Sequence, residues 1–392
     1  MAIKNAKLKI KDCNGMGMYI HIPFCIKKCR YCDFYSLPGK NESDLDNYVR
    51  ALLKEIRIRG EQMPAVQLES IYLGGGTPSM LDGRQLGSII RACGDNFTII
   101  PGAEISMEAN PATLDKAKLA AMEAAGINRL SLGVQSFFDD ELALMGRVHD
   151  AAAVRETVEL IHSRGWENFN LDLIYGLPGQ SLKRWRQNLK QALDCKPCHL
   201  SLYLLQLEEH TPMGKDAAQG RLQMLDEDEE WRMYNLAMEY LAERGFVHYE
   251  ISNFCRPGWE CRHNLVYWQG REYLGLGAGA VSFVAGSRYM NQPDFKGYTG
   301  ALISGEQWPI KELERMAGRE LMIDALILGL RLCEGIDLAH FQQRFGVDIS
   351  SEYKGIIVQY MNRGLLNIEN GRLSFTKAGY FLSNQVLSQF MD

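Results

Sequence analysis

No stretch of about 18 consecutive apolar residues occurs in the 392-residue chain, so no transmembrane segment is expected. Neither sign of charge dominates: 43 Lys and Arg stand against 48 Asp and Glu, a formal net charge of -5. So even a balance gives no long-range pull toward nucleic acid or anionic lipid, and partners have to be argued from local sites. The first residues, MAIKNAKLKIKDCNG, are polar and lack the apolar core of a secretory signal. The ten cysteines are therefore expected in a reducing, cytoplasmic setting rather than in a disulfide framework. A chain of this length exceeds the usual size of one core and predicts two domains, or one barrel with an appendage.

What the sequence does have is three thiols in one short stretch, YIHIPFCIKKCRYC, directly after an apolar strand pattern. Cys25, Cys29 and Cys32 follow the spacing C-x3-C-x2-C. A cubane 4Fe-4S cluster takes four ligands, so three thiolates leave one iron open. An open iron can take the amino and carboxylate groups of S-adenosylmethionine, and an electron from the cluster can then cleave the sulfonium to a 5'-deoxyadenosyl radical. Tyr31, the aromatic residue before the last cysteine, fits the same pattern. A zinc site is the alternative, but it needs a fourth ligand and usually shows paired knuckles. The second C-x2-C, Cys195 and Cys198 around Pro197, reads as a structural pair.

From Met18 onward, short β-rich runs alternate with amphipathic stretches of helical length, which predicts βα units on a parallel sheet. Strands are expected at 18–22, 70–73, 104–108, 129–134, 168–174 and 199–207. Helices are expected near 44–59, 83–93, 114–125, 151–163, 182–193 and 227–243, with Gly126, Gly165 and Gly245 ending three of them. The fold class is thus α/β, an incomplete (β/α)6 barrel, whose reactive groups should gather at the carboxyl ends of the strands. The cysteine loop, the run Gly74-Gly75-Gly76-Thr77, Glu108, Gln135 and Asp172 all fall at such ends. Adjacent glycines let backbone approach a ligand, so amides of Gly75, Gly76 and Thr77 are candidates for the methionyl end of the cofactor. Glu108, Gln135, Arg147 and Asp172 offer the donors and acceptors that a cation, a diol and a zwitterion need, although each could instead make a salt bridge at the mouth. Tyr19 on the first strand reads equally as core or as cofactor site.

The stretches YIHIPFCIKKCRYCDF, YLGGGTPS, ISMEANP, RLSLGVQSF, LMGRVHD, NLDLIYGLPGQ, YEISNFCRPGWECRHNLVYW and YLGLGAGA resemble the HemN-like radical S-adenosylmethionine family over nearly the whole chain. The resemblance implies Cys25, Cys29 and Cys32 as 4Fe-4S ligands. It also implies that Tyr19, Tyr31, Gly75, Gly76, Thr77, Glu108, Gln135, Arg147 and Asp172 line the S-adenosylmethionine site. Two features choose a branch. The family's coproporphyrinogen III dehydrogenases carry a further cysteine two places after the third ligand, where this chain has Phe34, and a long arm before the first strand, where it has about 18 residues. Both, with the signature His263-Asn264-Leu265-Val266-Tyr267-Trp268, favour the heme-chaperone branch.

That branch implies heme as bound cargo, acceptor hemoproteins as partners, an electron donor for the cluster, and no catalytic residue for decarboxylation. The alternative is an oxygen-independent coproporphyrinogen III oxidase or another radical enzyme acting on tetrapyrroles. His263 is the candidate heme contact, with Tyr267 and Trp268 as an aromatic wall. After Gly277-Ala278-Gly279-Ala280, Val281 stands where members of the family often carry histidine; if that histidine helps to hold heme, this chain does so differently or more weakly.

Beyond about residue 312 the character changes. A helix is expected at 314–332, then helices at 338–345 and 351–363, a hairpin around Asn370-Gly371, and a last helix ending near Phe390, a winged-helix-like arrangement. From residue 334 its five basic and six acidic residues give no phosphate footprint, so no nucleic acid partner is expected and the unit reads as a lid over the barrel mouth or an interaction domain. The predicted division is 1–17 as lead-in, 18–311 as partial barrel with its extension, and 312–392 as the C-terminal domain.

Overall fold

Strands that are buried on both faces read as continuous apolar runs, and Met16–Ile22 is such a run, with only Tyr19 less than fully buried. In the computed structural model, which describes residues 15–305 and 310–391, this strand is β1. It starts two residues inside the predicted lead-in, whose residues 1–14 lie outside the described residues. β2 (Gln67–Gly75), β3 (Thr98–Ala109), β4 (Arg129–Gln135), β5 (Phe169–Tyr175) and β6 (His199–Leu204) follow in order, each parallel to its predecessor. The six predicted βα units are all present. The sixth strand is shorter than the expected 199–207, because the chain leaves the sheet at Leu205.

Local chemistry sets the helices α1 (Glu42–Gln62), α2 (Gly83–Asn96), α3 (Lys116–Ala124), α4 (Ala151–Ser163), α5 (Leu182–Asp194) and α6 (Glu227–Ala242). Each begins at a short polar side chain that accepts from a backbone amide of the first turn: Asn41, Asp82, Asp115, Asp150, Ser181 and Asp226. Gly126, Gly165 and Gly245 stand in the left-handed region, as expected for helix terminators.

The sheet does not stop at six strands. β7 (Val247–Glu250) and β8 (Asn253–Cys255) extend it antiparallel beyond β6. After the short helix α7 (Arg262–Trp268), β9 (Tyr273–Leu276) returns to pair parallel with β1 on the other side. β10 (Val281–Val284), β11 (Ser287–Asn291) and β12 (Ile310–Arg315) continue outward antiparallel. The spatial order is β12-β11-β10-β9-β1-β2-β3-β4-β5-β6-β8-β7. The helix expected at 314–332 is corrected here: it covers Arg319–Gly329 only, as residues 314 and 315 belong to β12. The sequence KELER favours helix by propensity, and ladder pairing to β11 overrides it.

In the C-terminal part the predicted hairpin forms from Leu366–Glu369 and Arg372–Phe375, with Asn370 and Gly371 both at positive φ, as a two-residue primed turn requires. The expected helix at 351–363 is Ile349–Glu352 plus Lys354–Asn362, and the last one breaks into Lys377–Phe381, Ser383–Leu387 and a 3-10 turn ending at Phe390. Phe381 packs on Trp231 of α6, and Tyr380 packs edge-on to His248 of β7.

On the other flank, α1 is tied to β9–β11 by Glu55, which is fully buried. It accepts from Gly277 N (2.8 Å), Asn291 Nδ2 (2.7 Å) and the Tyr298 hydroxyl (2.6 Å). Removing the carboxylate would leave Gly277 N and the Tyr298 hydroxyl without this acceptor in a dry site, while Asn291 Nδ2 keeps Gly277 O (3.0 Å). E55A is expected to lose about 3 kcal/mol or more of stability, read as the shift in urea midpoint; an unchanged midpoint would mean the donors find other partners.

Candidate functional site

The carboxyl ends of β1 to β6 surround one cavity of about 510 Å³. The loop after β1 brings Cys25, Cys29, Tyr31 and Cys32 to its wall, β2 brings Gly75, Gly76 and Thr77, and β3, β4 and β5 bring Glu108, Gln135 and Asp172. Arg147 reaches it from the segment after β4, and Tyr203 to Gln206 close the far side. Of the residues expected at the site, Tyr19 and His263 do not line the cavity. No described residue beyond Glu208 lines it, so the expected lid over the mouth is corrected: the C-terminal part spends its aromatic face on α6 and β7 instead.

The cysteine loop is held from several sides. Arg30 N donates to Met145 O (3.0 Å), Met213 N donates to Arg30 O (2.9 Å), and the Arg30 guanidinium pairs with Asp216. The Thr77 hydroxyl points at Cys25 Sγ (3.6 Å) and Arg147 Nη1 donates to Cys29 Sγ (3.2 Å). Burial pushes the Cys25 and Cys32 thiols up, so the bare loop disfavours thiolate charge until a metal neutralises it. Among the described residues no three His, Cys, Asp or Glu side chains converge into a ready metal cage, the loop thiols included. The donor set that fits is three thiols on one wall of a roomy cavity.

The opposite wall is built for a polar, cationic guest. Glu108 accepts from the Tyr72 hydroxyl (3.1 Å) and from Gly75 N (3.0 Å). Asp172 accepts from Ser131 Oγ (3.1 Å) and Asn170 Nδ2 (2.8 Å). Burial, and then the Asp172 charge, push Glu108 up to about 7. Burial also raises Asp172, against the hydrogen bonds that favour its charge. Between the two walls, Gln135 Oε1 and Arg147 Nε are buried with no partner among the described residues. Gln135 also sits at φ 66°, unusual for a residue with a side chain. An orphan acceptor and an orphan donor in one cavity fit a zwitterionic cofactor with a sugar diol.

The glycines act differently from the amide cradle expected. Gly75 N is spent on Glu108, and Gly76 N donates to Ile22 O (2.9 Å). What forces glycine here is close approach: a Cβ at Gly75, at φ 113°, would stand 2.4 Å from the His21 ring, and one at Gly76 would stand 2.7 Å from Phe24 O. Tyr19 lies one layer back, its hydroxyl 3.0 Å from His21 Nδ1 and its ring stacked on Tyr72. His263 is deeper still, with Nδ1 2.9 Å from Ser70 Oγ and Nε2 2.9 Å from the Tyr267 hydroxyl. Tyr72, Ser131 and Asn170 were missed from sequence; their only signal was polar or phenolic character on otherwise apolar strands. Cys195 and Cys198 are free thiols, with Cys198 Sγ near Phe169 O (3.4 Å), in keeping with a structural pair.

Two outcomes test this site. Anaerobically reconstituted protein is expected to hold about four irons per chain, and C29A to hold none; a full cluster in that variant would remove Cys29 from the ligands. A cationic sulfonium should bind best when Glu108 is ionised, so S-adenosylmethionine affinity is expected to fall about tenfold between pH 8 and pH 6, with E108Q much flatter by calorimetry. The same raised value means that ionising Glu108 costs stability: its contribution is full below about 4.5 and is lost as pH rises through about 7. A pH-independent affinity in the wild type would take Glu108 out of the site.

Comparison with known proteins agrees with this geometry. Residues 19–192 match the Radical SAM superfamily and residues 316–382 match the HemN C-terminal domain. The chain is 35% identical to the heme chaperone HemW of Lactococcus lactis over 95% of this chain and 96% of that one. It is 34% identical to heme chaperone HemW of Bacillus subtilis over 95% and 98%, and 38% identical to that of Escherichia coli over 68% and 69%. The structure of coproporphyrinogen III oxidase (HemN) from Escherichia coli superposes with a TM-score of 0.83 at 22% identity, covering 99% of this chain and 91% of that one, which establishes the shared fold. With matched cysteine loop, shared fold and identity above 30% along nearly its whole length, the chain belongs to the HemW family of HemN-like radical SAM proteins.

Proposed function

We propose that this protein is a heme chaperone that holds heme as cargo and passes it to acceptor hemoproteins in the cytoplasm, while retaining a 4Fe-4S cluster and S-adenosylmethionine. The observation that carries the reading is the rim of the cavity. Ile26, Phe34 and Val148 all line it, yet are 47%, 69% and 38% exposed. Large apolar side chains left in water around one opening mark a binding surface. Lys27 and Lys28 stand on the same rim, so a flat apolar macrocycle with acidic side groups finds both kinds of contact there. The name carried by the 34–40% identical relatives supports the same reading.

In this proposal Cys25, Cys29 and Cys32 hold the cluster, and the Glu108–Asp172 wall with Gln135 and Arg147 receives S-adenosylmethionine. When bound, the cluster supplies an electron for sulfonium cleavage, so a reductant is required as partner. Heme contact by His263 would require one of its two hydrogen bonds to open. His210, exposed and 2.6 Å from Asp33 beside the last cysteine, is an imidazole already tied to the rim. No described helix is long and apolar enough to cross a membrane. The division at residue 312 cuts β12, and the C-terminal unit is proposed as an interaction domain.

The test runs reduced, reconstituted protein with S-adenosylmethionine against heme and against coproporphyrinogen III. Saturable one-to-one heme uptake without decarboxylated product is expected, with F34A binding heme about tenfold more weakly. Turnover of coproporphyrinogen III would replace the chaperone reading by the enzymatic one.

A further inference from the structure

The HNLVYW segment lies outside the cavity, yet it is wired to it. α7 packs beneath β1 and β2. Its first turn is fixed by Glu104, a buried carboxylate on β3 that accepts from Arg262 N (3.1 Å) and His263 N (3.2 Å). The His263 imidazole is 1% exposed and bonded through both nitrogens, to Ser70 of β2 on one side and Tyr267 on the other. Two hydrogen bonds on opposite ring atoms leave the ring no rotational freedom.

One face of that ring lies against Tyr72, with centroids 5.1 Å apart and planes 20° apart. Tyr19 stacks on Tyr72 as well, at 6.3 Å and 24°. Tyr72 lines the cavity and gives its hydroxyl to Glu108 Oε1 at 3.1 Å, whereas His263 does not line it. The imidazole therefore meets the cofactor wall by ring contact with Tyr72, and its hydrogen-bond partner Tyr267 stands within charge reach of Glu108 as well. A heme ligand in this place would have to displace Tyr72 to see the cavity.

We infer that His263 is a positioning residue for the cofactor site: by fixing the ring of Tyr72 it aims the hydroxyl that Glu108 accepts, and so sets how readily that carboxylate receives a cation. The inference rests on the cavity being the S-adenosylmethionine site and is independent of heme. Glu108 faces the phenols of Tyr19, Tyr72 and Tyr267, held neutral by burial, the partly exposed phenol of Tyr203, and the carboxyl of Asp172. Asp172 is thus the one neighbour that shares its titration.

The experiment measures S-adenosylmethionine binding by calorimetry from pH 6 to 9 on full-length, cluster-reconstituted protein. Y72F and H263A are each expected to weaken binding about tenfold at pH 7 and to move the pH midpoint upward, since an acceptor loses a donor that favours its charge. H263F, which keeps a ring against Tyr72, should stay within about threefold of wild type, and the double variant H263A/Y72F should be no worse than Y72F. A wild-type midpoint in H263A would overturn the inference. Should H263A fail to fold, Y72F and H263F decide, and a wild-type midpoint in Y72F overturns it equally. Heme titration of the same samples should show H263A still taking up heme; loss of heme with S-adenosylmethionine binding intact would make His263 a heme contact instead. Failure of the wild type to take up heme would bear on the chaperone reading alone.

Discussion

The close approach of β1 and β2 at their carboxyl ends is the constraint on which the site depends. Parallel register puts Ile22 beside Gly75, and the chain can leave both strands together only because Gly75 and Gly76 have no side chains to meet His21 and the backbone at Phe24. The hydrogen bond from Gly76 N to Ile22 O then locks the start of the cysteine loop to the turn after β2. From that junction the three thiols face inward, Thr77 reaches Cys25, and Gly75 N is free to orient Glu108 across the cavity. A single steric fact thus joins the thiol wall to the carboxylate wall.

The two walls are electrostatically unfinished without their guests. Thiols are pushed toward neutrality by burial on one side, and a pair of carboxyls is pushed the same way on the other. Each deficit is of the kind that the proposed guests would remove: iron for the thiols, a sulfonium for the carboxyls. Arg147 bridges them, bonded to Cys29 Sγ and to Gly133 O while its Nε still lacks a partner. The cavity is therefore organised for charge to arrive from outside rather than for charges already present to neutralise one another.

Much of this was legible in the chain. The alternation of strand and helix patterns gave the six units, and the positions of Cys25 to Cys32, Glu108, Gln135 and Asp172 at strand ends gave the cavity wall. Other parts were hidden for physical reasons. β7 to β11 are three to five residues long, too short for a period to mark them, and β8 and β9 join the sheet only through β6 and β1, far away in sequence. β12 is written in helix-forming residues and is a strand only through pairing. Tyr72 looked like strand core, and the engagement of the Gly75 and Gly76 amides depends on which acceptor folding brings near, which spacing does not encode.

An open sheet has two rims with unused backbone hydrogen bonds, and here they are handled by opposite means. β12, at one rim, presents Lys311, Glu312, Glu314 and Arg315 to water, so another strand docking there would have to bury charge. β7, at the other, is capped within the chain: Cys333 N donates to Tyr249 O (2.9 Å), and Glu250 forms a β-bridge with Leu332. The C-terminal part thereby acts as a backbone stopper at one rim of a sheet that never closes into a full barrel.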